Sequence, residues 1–174
     1  NNIRALYEDS KGNLWIGTDG GGLVKFNPYS TDPSKRFIYI NDKEGFYSKY
    51  VLVIKEDITG VLWIGTREDG LFSYDPAPSR PSRQLTGKEN EKIQHFTIKD
   101  GLSSKLVRCI YTDRKGKMWV ADIDTVVGID VKDAKITDKI QIGSAKFLND
   151  IEVAEDGRVF ISDICCTRAL KSCC

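Results

Sequence analysis

VLVIKEDITGVLWIGT, at residues 51–66, occurs in two further versions: IRALYEDSKGNLWIGT at 3–18 and VRCIYTDRKGKMWVAD at 107–122. A degenerate fourth copy, NDIEVAEDGRVFISD, occupies 149–163. The aromatic anchors Trp15, Trp63, Trp119 and Phe160 lie 48, 56 and 41 residues apart. That period fits a four-stranded propeller blade and is too long for a helical repeat of about 34 residues. Each copy opens on a β-rich run, such as Val51 to Ile54, of a kind that favours strands. Asp-x-x-Gly follows, as Asp9 to Gly12, Asp57 to Gly60 and Asp113 to Gly116. Asp in the first place and Gly in the fourth is the signature of a type I turn, in which the carboxylate accepts the N–H two residues on. A second strand carries Leu/Met-Trp-Ile/Val. Gly17 and Gly65 within it mark a bend or the close approach of a neighbouring chain.

Turns at Gly21-Gly22 and Asp69-Gly70 lead into a third strand, at 24–26 and 72–74. A fourth strand is expected at 37–40, 93–98 and 136–142. Glu44-Gly45 and Asp100-Gly101 open a second repeat, EGFYSKYV against DGLSSKLV, which links the outer strand of one blade to the inner strand of the next. No segment sustains a helical period with caps. The fold expected is all-β: a propeller segment of about three four-stranded blades plus an incomplete fourth. Blades are expected at roughly 1–42, 43–99, 100–144 and 145–163, with a long loop at 76–92 inside the second. Residues 164–174 drop the alternation and form a cysteine-rich tail, read as irregular and as foreign to the repeat.

The pattern (E/D)-G-(F/L)-x-S-K-x-V, then D-x-x-G-x-(L/M)-W-(I/V)-G-T and G-L-x-x-(Y/F)-(D/N), resembles the two-component regulator propeller repeat. The resemblance is closest over residues 1–75 and continues through 93–122. It implies the sensor half of a hybrid two-component system, at the periplasmic or extracellular face of a bacterial membrane, where oligosaccharides are common signals. The 119–163 stretch is also similar to repeats of gluconolactonase-type and NHL-like propellers. In lactonases an Asn-Asp at the start of an inner strand helps bind a divalent metal, and Asn149 and Asp150 match that motif. This second likeness implies a metal-dependent hydrolase holding calcium or zinc. The first implies no cofactor.

Composition narrows the partners. The chain has 174 residues, 40% of them hydrophobic, enough for a core. With 26 basic and 25 acidic residues the net charge is +1, so neither a nucleic-acid nor an anionic-membrane grip is expected. No apolar run is long enough to span a bilayer. The chain lacks an initiator Met and reads as a processed protein or a piece of a longer one. Such blades usually close rings of six or seven, so the remaining blades or a second copy are the expected macromolecular partners.

A residue present in every copy is expected to serve the fold. This assigns Asp9, Asp57 and Asp113 to turns, and Trp15, Trp63 and Trp119 to packing between blades. Solute binding is expected from unrepeated side chains near the loops that enter the inner strands, at the mouth of a central channel. These are Asn2 and Arg4 in the first blade, Tyr47, Ser48 and Lys49 in the second, Ser104, Lys105 and Arg108 in the third, and Asn149 and Asp150 in the fourth. They offer donors and acceptors for hydroxyl groups and cations for a carboxylate, which suits a saccharide or similar small molecule. The alternative role is a scaffold for protein contacts. No catalytic set stands out: His95, the single histidine, reads as a surface residue on an outer strand, and no triad or zinc spacing is present. Cys109 reads as a small buried hydrophobe.

Overall fold

A computed structural model describes residues 2–76, 92–143, 145, 148–154, 158–163 and 166–170. Its strands are β1 (Asn2–Glu8), β2 (Leu14–Asp19), β3 (Leu23–Phe26), β4 (Phe37–Ile40), β5 (Val51–Glu56), β6 (Leu62–Thr66), β7 (Leu71–Tyr74) and β8 (Ile93–Phe96). They continue as β9 (Cys109–Thr112), β10 (Met118–Ala121), β11 (Thr125–Asp130), β12 (Lys135–Gln141), β13 (Leu148–Val153), β14 (Val159–Asp163) and β15 (Cys166–Leu170). The order within each sheet is the order in the chain: β1 to β4, β5 to β8, β9 to β12, and β13 to β15. All pairings are antiparallel. The inner strands β1, β5, β9 and β13 pack side by side in sequence. This is a propeller arc of three four-stranded blades and a three-stranded fourth. The expected 76–92 loop falls largely outside the described residues, but β7 and β8 on either side of it pair within one sheet. Asn1, Cys165, Cys173 and Cys174 also lie outside them. In one respect the sequence misled: Cys166–Leu170, expected to be irregular, is a strand paired with β14. CTRAL shows no alternation, so its pairing is set by the neighbouring strand and not by its own pattern.

The repeated Asp has two duties. One oxygen of Asp57 accepts from the backbone N–H of Thr59 (2.8 Å) and Val61 (3.1 Å), closing the turn. The other accepts from the indole Nε1–H of Trp63 at 2.7 Å. Asp9 does the same for Lys11, Asn13 and Trp15, at 3.0, 2.8 and 2.8 Å. Asp113 repeats it for Lys115, Lys117 and Trp119, at 2.9, 2.9 and 3.0 Å. The carboxylate thus locks both the hairpin and the ring it carries, and leaves no indole N–H unpaired in the core. Gly12, Gly60 and Gly116 sit at φ of 76°, 82° and 79°, where a side chain would be strained.

Blades stack face to face. Trp15, Leu23 and Ile40 of the first pack against Ile54, Ile64, Phe72, Tyr74 and Ile93 of the second. Trp63, Leu71 and Phe96 of the second meet Ile110, Met118, Val120, Val127 and Ile129 of the third. Close approach needs glycine: a Cβ on Gly17 would fall 2.5 Å from Val51, and one on Gly65 2.8 Å from the Val107 carbonyl. The first contact comes from the inner strand of the next blade, the second from the loop that enters it. The inter-blade loops begin with one device, used twice. Asn41 and Glu44 form a capping box around a 3-10 turn closed by Gly45 at φ 90°. Thr97, Asp100 and Gly101 at φ 119° repeat it.

Candidate functional site

The loops that enter the inner strands sit on the turns of the preceding blade. The Lys49 carbonyl accepts from Gly20 (2.8 Å) and Gly22 (3.0 Å), and the Lys105 carbonyl from Gly70 (2.8 Å). Backbone bonds spend these segments' polar groups and hold the Lys49 and Lys105 side chains out in solvent. Each ammonium therefore stands at the same end of its blade, on a fixed base. Asn2 and Arg4 begin β1 at that end, and both are exposed. Arg4 Nη2 donates to Asp19 Oδ2 at 2.8 Å, and Arg67 Nη2 of the second blade donates to the same oxygen at 3.1 Å. The Arg67 guanidinium also lies over the Tyr50 ring, 5.0 Å from its centre. The bonds from Arg4, with Arg67 beside it, hold the Asp19 carboxyl below the usual carboxylate range.

The sequence pointed to Arg4 but not to Asp19, Arg67 or Tyr50. Asp19 and Arg67 occupy equivalent places in the first two copies and carry opposite charges. That charge reversal between neighbouring copies was the available signal.

Ser48 and Ser104 are equivalent in sequence and differ in structure. Ser104 belongs to a closed polar knot in which its hydroxyl and backbone N–H, and the Ser103 N–H at 2.7 Å, all meet the Asp122 carboxylate. Asp122 stands where the other copies have Thr18 and Thr66, whose hydroxyls bond to Gly22 and Gly70 carbonyls at 3.1 and 2.8 Å. Ser48 therefore has no such carboxylate. It is 3% exposed, and its hydroxyl has no partner among the described residues. Neither serine is presented to solvent as Lys49 and Lys105 are.

Tyr47 is exposed, and its hydroxyl lies 2.8 Å from His95 Nδ1. His95 itself is no simple surface histidine. Its ring is half-buried and stacks on Phe72 with centres 4.3 Å apart and planes at 12°, while Nε2 meets the Asp69 carbonyl. Tyr47 also meets Phe72 edge-on at 5.3 Å. His95 joins a blade-linking loop to the outer strand and a turn of its own blade. Arg108 is exposed at the start of the third blade.

Asn149 and Asp150 are exposed on β13. Asp150 Oδ1 accepts from the Cys109 thiol (3.2 Å) and from the Ile151 N–H (2.9 Å). Burial, with this carboxylate beside it, pushes the Cys109 thiol up to about 12, consistent with a residue that packs and does not react. Among the described residues no group of three His, Cys, Asp or Glu side chains could hold a metal ion. Asn149 and Asp150 stand next to each other on β13.

The model of the family described as two component regulator propeller matches residues 1–20 and 101–124. No curated protein sequence matches the chain. Among solved structures, the extracellular domain assigned to a hybrid two-component system of B. thetaiotaomicron is 28% identical over 94% of this chain, with a TM-score of 0.66. A second such domain from that organism is 23% identical over 93%, with a TM-score of 0.67. The chain spans about a fifth of both domains, 22% and 20%. A virginiamycin B lyase from Staphylococcus aureus shares the fold alone, at 13% identity and a TM-score of 0.65. No described helix is long and apolar enough to cross a membrane. Residues 1–20 and 101–124 thus match the two component regulator propeller model, and the chain shares the blade architecture of these extracellular domains.

Proposed function

We propose that the chain is a stretch of the sensing propeller of an extracytoplasmic two-component system, and that it takes a saccharide or similar solute at the end where the loops enter the inner strands. The observation that carries this reading is the joint likeness, in repeat and in fold, to an extracellular domain at 28% identity. The side chains that serve it are Lys49, Lys105, Asn2 and the Arg4–Asp19–Arg67 group, with Tyr47 as an exposed ring for a sugar face. Arg4 and Arg67 come from adjacent blades and share one carboxylate. A ligand carboxylate that drew either arginine away would loosen that link. Signalling needs only that the solute prefer one arrangement of the blades over another.

The test is a panel of neutral and acidic oligosaccharides read by the shift in melting temperature, with Lys49→Ala and Lys105→Ala as controls. A saturable shift lost in these variants supports the reading. A shift retained in both, or none across the panel, removes it.

A further inference from the structure

At the opposite end of the third blade, away from the loops that enter the inner strands, a cleft of about 190 Å³ opens. Its walls include Lys115 and Lys117 from the β9–β10 turn, Asp130 and Lys132 around the β11–β12 turn, Thr137 of β12, and Ile58 from the second blade. Three lysines thus line a space with one carboxylate in its wall. That carboxylate is already engaged, since Asp130 Oδ1 accepts from the Lys132 N–H at 2.9 Å. Lys117 is held in place by Asp138 and lies 5.0 Å from the centre of the Trp119 ring. Lys115 and Lys132 are exposed and have no ion-pair partner among the described residues.

The first blade shows what closes such a space. There the β3–β4 connection runs over residues 27–36 and brings the Tyr29 ring against Gly12, 3.5 Å from where a Cβ would stand. Gly116 is the equivalent glycine in the third blade. Its blade joins β11 to β12 through residues 131–134 alone, tightened by Ala134 at φ 50°. No ring among the described residues reaches across. Lys117 replaces Asn13 and Val61 of the other copies, so a cation lies beside the open space where the first blade has a neutral amide.

We propose that this cleft binds a tetrahedral oxyanion, a sulfate or phosphate group, with Lys115 and Lys132 as mobile donors and Lys117 as a fixed one. Ammonium-to-oxyanion hydrogen bonds are the strong kind, and two lysines that line one cleft repel until an anion joins them. The volume is below that of pockets for whole drug-sized molecules, which suits one charged group on a larger solute or a free ion. Ile58 supplies an apolar wall beside it.

The experiment is calorimetric titration of the 174-residue chain at constant ionic strength. The probes are inorganic sulfate, inorganic phosphate, glucose 6-sulfate and glucose 6-phosphate, with glucose as the neutral control. Saturable binding of an anion, absent for glucose, is expected. Tighter binding of the esters than of the free ions would identify an esterified sugar as the natural form, and the reverse a free ion. Lys132→Gln should weaken binding roughly tenfold, the loss of one charge-assisted bond. Lys115→Gln with Lys132→Gln should abolish it, and so should Ile58→Trp, which fills the cleft without touching charge. Lys43→Gln, in the link between the first and second blades, should change nothing. Absence of saturable binding, or binding that survives both the double variant and Ile58→Trp, would overturn the proposal.

Discussion

The first and second blades present the same side chains on the same face, and only one of the two faces is covered. Leu6, Leu14, Ile16, Phe26, Phe37 and Tyr39 of the first blade align with Ile54, Leu62, Ile64, Tyr74, Ile93 and His95 of the second. In the second blade Ile54 and Ile93 are 3% and 8% exposed, because the Trp15 face lies against them. In the first, Leu6, Phe37 and Tyr39 are 60%, 51% and 63% exposed. The apolar pattern therefore belongs to the repeat and not to the burial that this chain achieves. A contiguous apolar face of this kind marks an interface. The first blade is built to receive the Trp face of another blade, whether from the same polypeptide or from a second copy.

The sharpest way to break this comparison is to place one charge at both equivalent positions. Ile54→Lys should destabilise the chain by about 4 kcal/mol or more, since it buries an unpaired ammonium and removes a packed side chain. Leu6→Lys should cost less than about 0.5 kcal/mol, as surface changes do. Urea unfolding of both variants reads the difference, and equal losses would deny that the two faces differ. A smaller contrast concerns the turn clamps. Asp57→Ala should cost about 2–3 kcal/mol, because it leaves a fully buried indole N–H and two turn amides unpaired. Asp113→Ala should cost about 1 kcal/mol, since Trp119 is only half-buried and water can replace the lost acceptor.

The smallest effect is on acid stability, and it touches the first blade. Burial pushes the Asp9 carboxyl up, but bonds from Trp15, Asn13 and Lys11 outweigh it and hold the group below its ordinary 3.8. The folded form therefore prefers the carboxylate more than the unfolded chain does. This contribution is complete above the ordinary value and is lost as pH falls below it. Asp9→Asn should flatten the fall in melting temperature below about pH 4. A slope unchanged by the substitution would remove Asp9 from the account.

Blade count, strand order and turn chemistry were legible because each rests on local spacing repeated three times. The indole clamp was legible too, had the constant six-residue step from Asp to Trp been read across the hairpin. His95 was not. Its partners, Tyr47 and Asp69, lie 48 and 26 residues away, and nothing local to IQHF announces a ring stacked on Phe72. Ser48 and Ser104 looked alike because the residue that separates them, Asp122 in place of Thr66, belongs to another part of the repeat. The pairing of Cys166–Leu170 escaped for the same reason: it is imposed by β14.

The first blade carries an uncovered interface, and light scattering coupled to size exclusion tests this most directly. The 174-residue chain should run as a concentration-dependent oligomer. The double variant Leu6→Lys/Tyr39→Lys should run as a monomer with an unchanged melting temperature. A wild-type chain that stays monomeric at every concentration and melts cooperatively, or a double variant that associates as the wild type does, would contradict it.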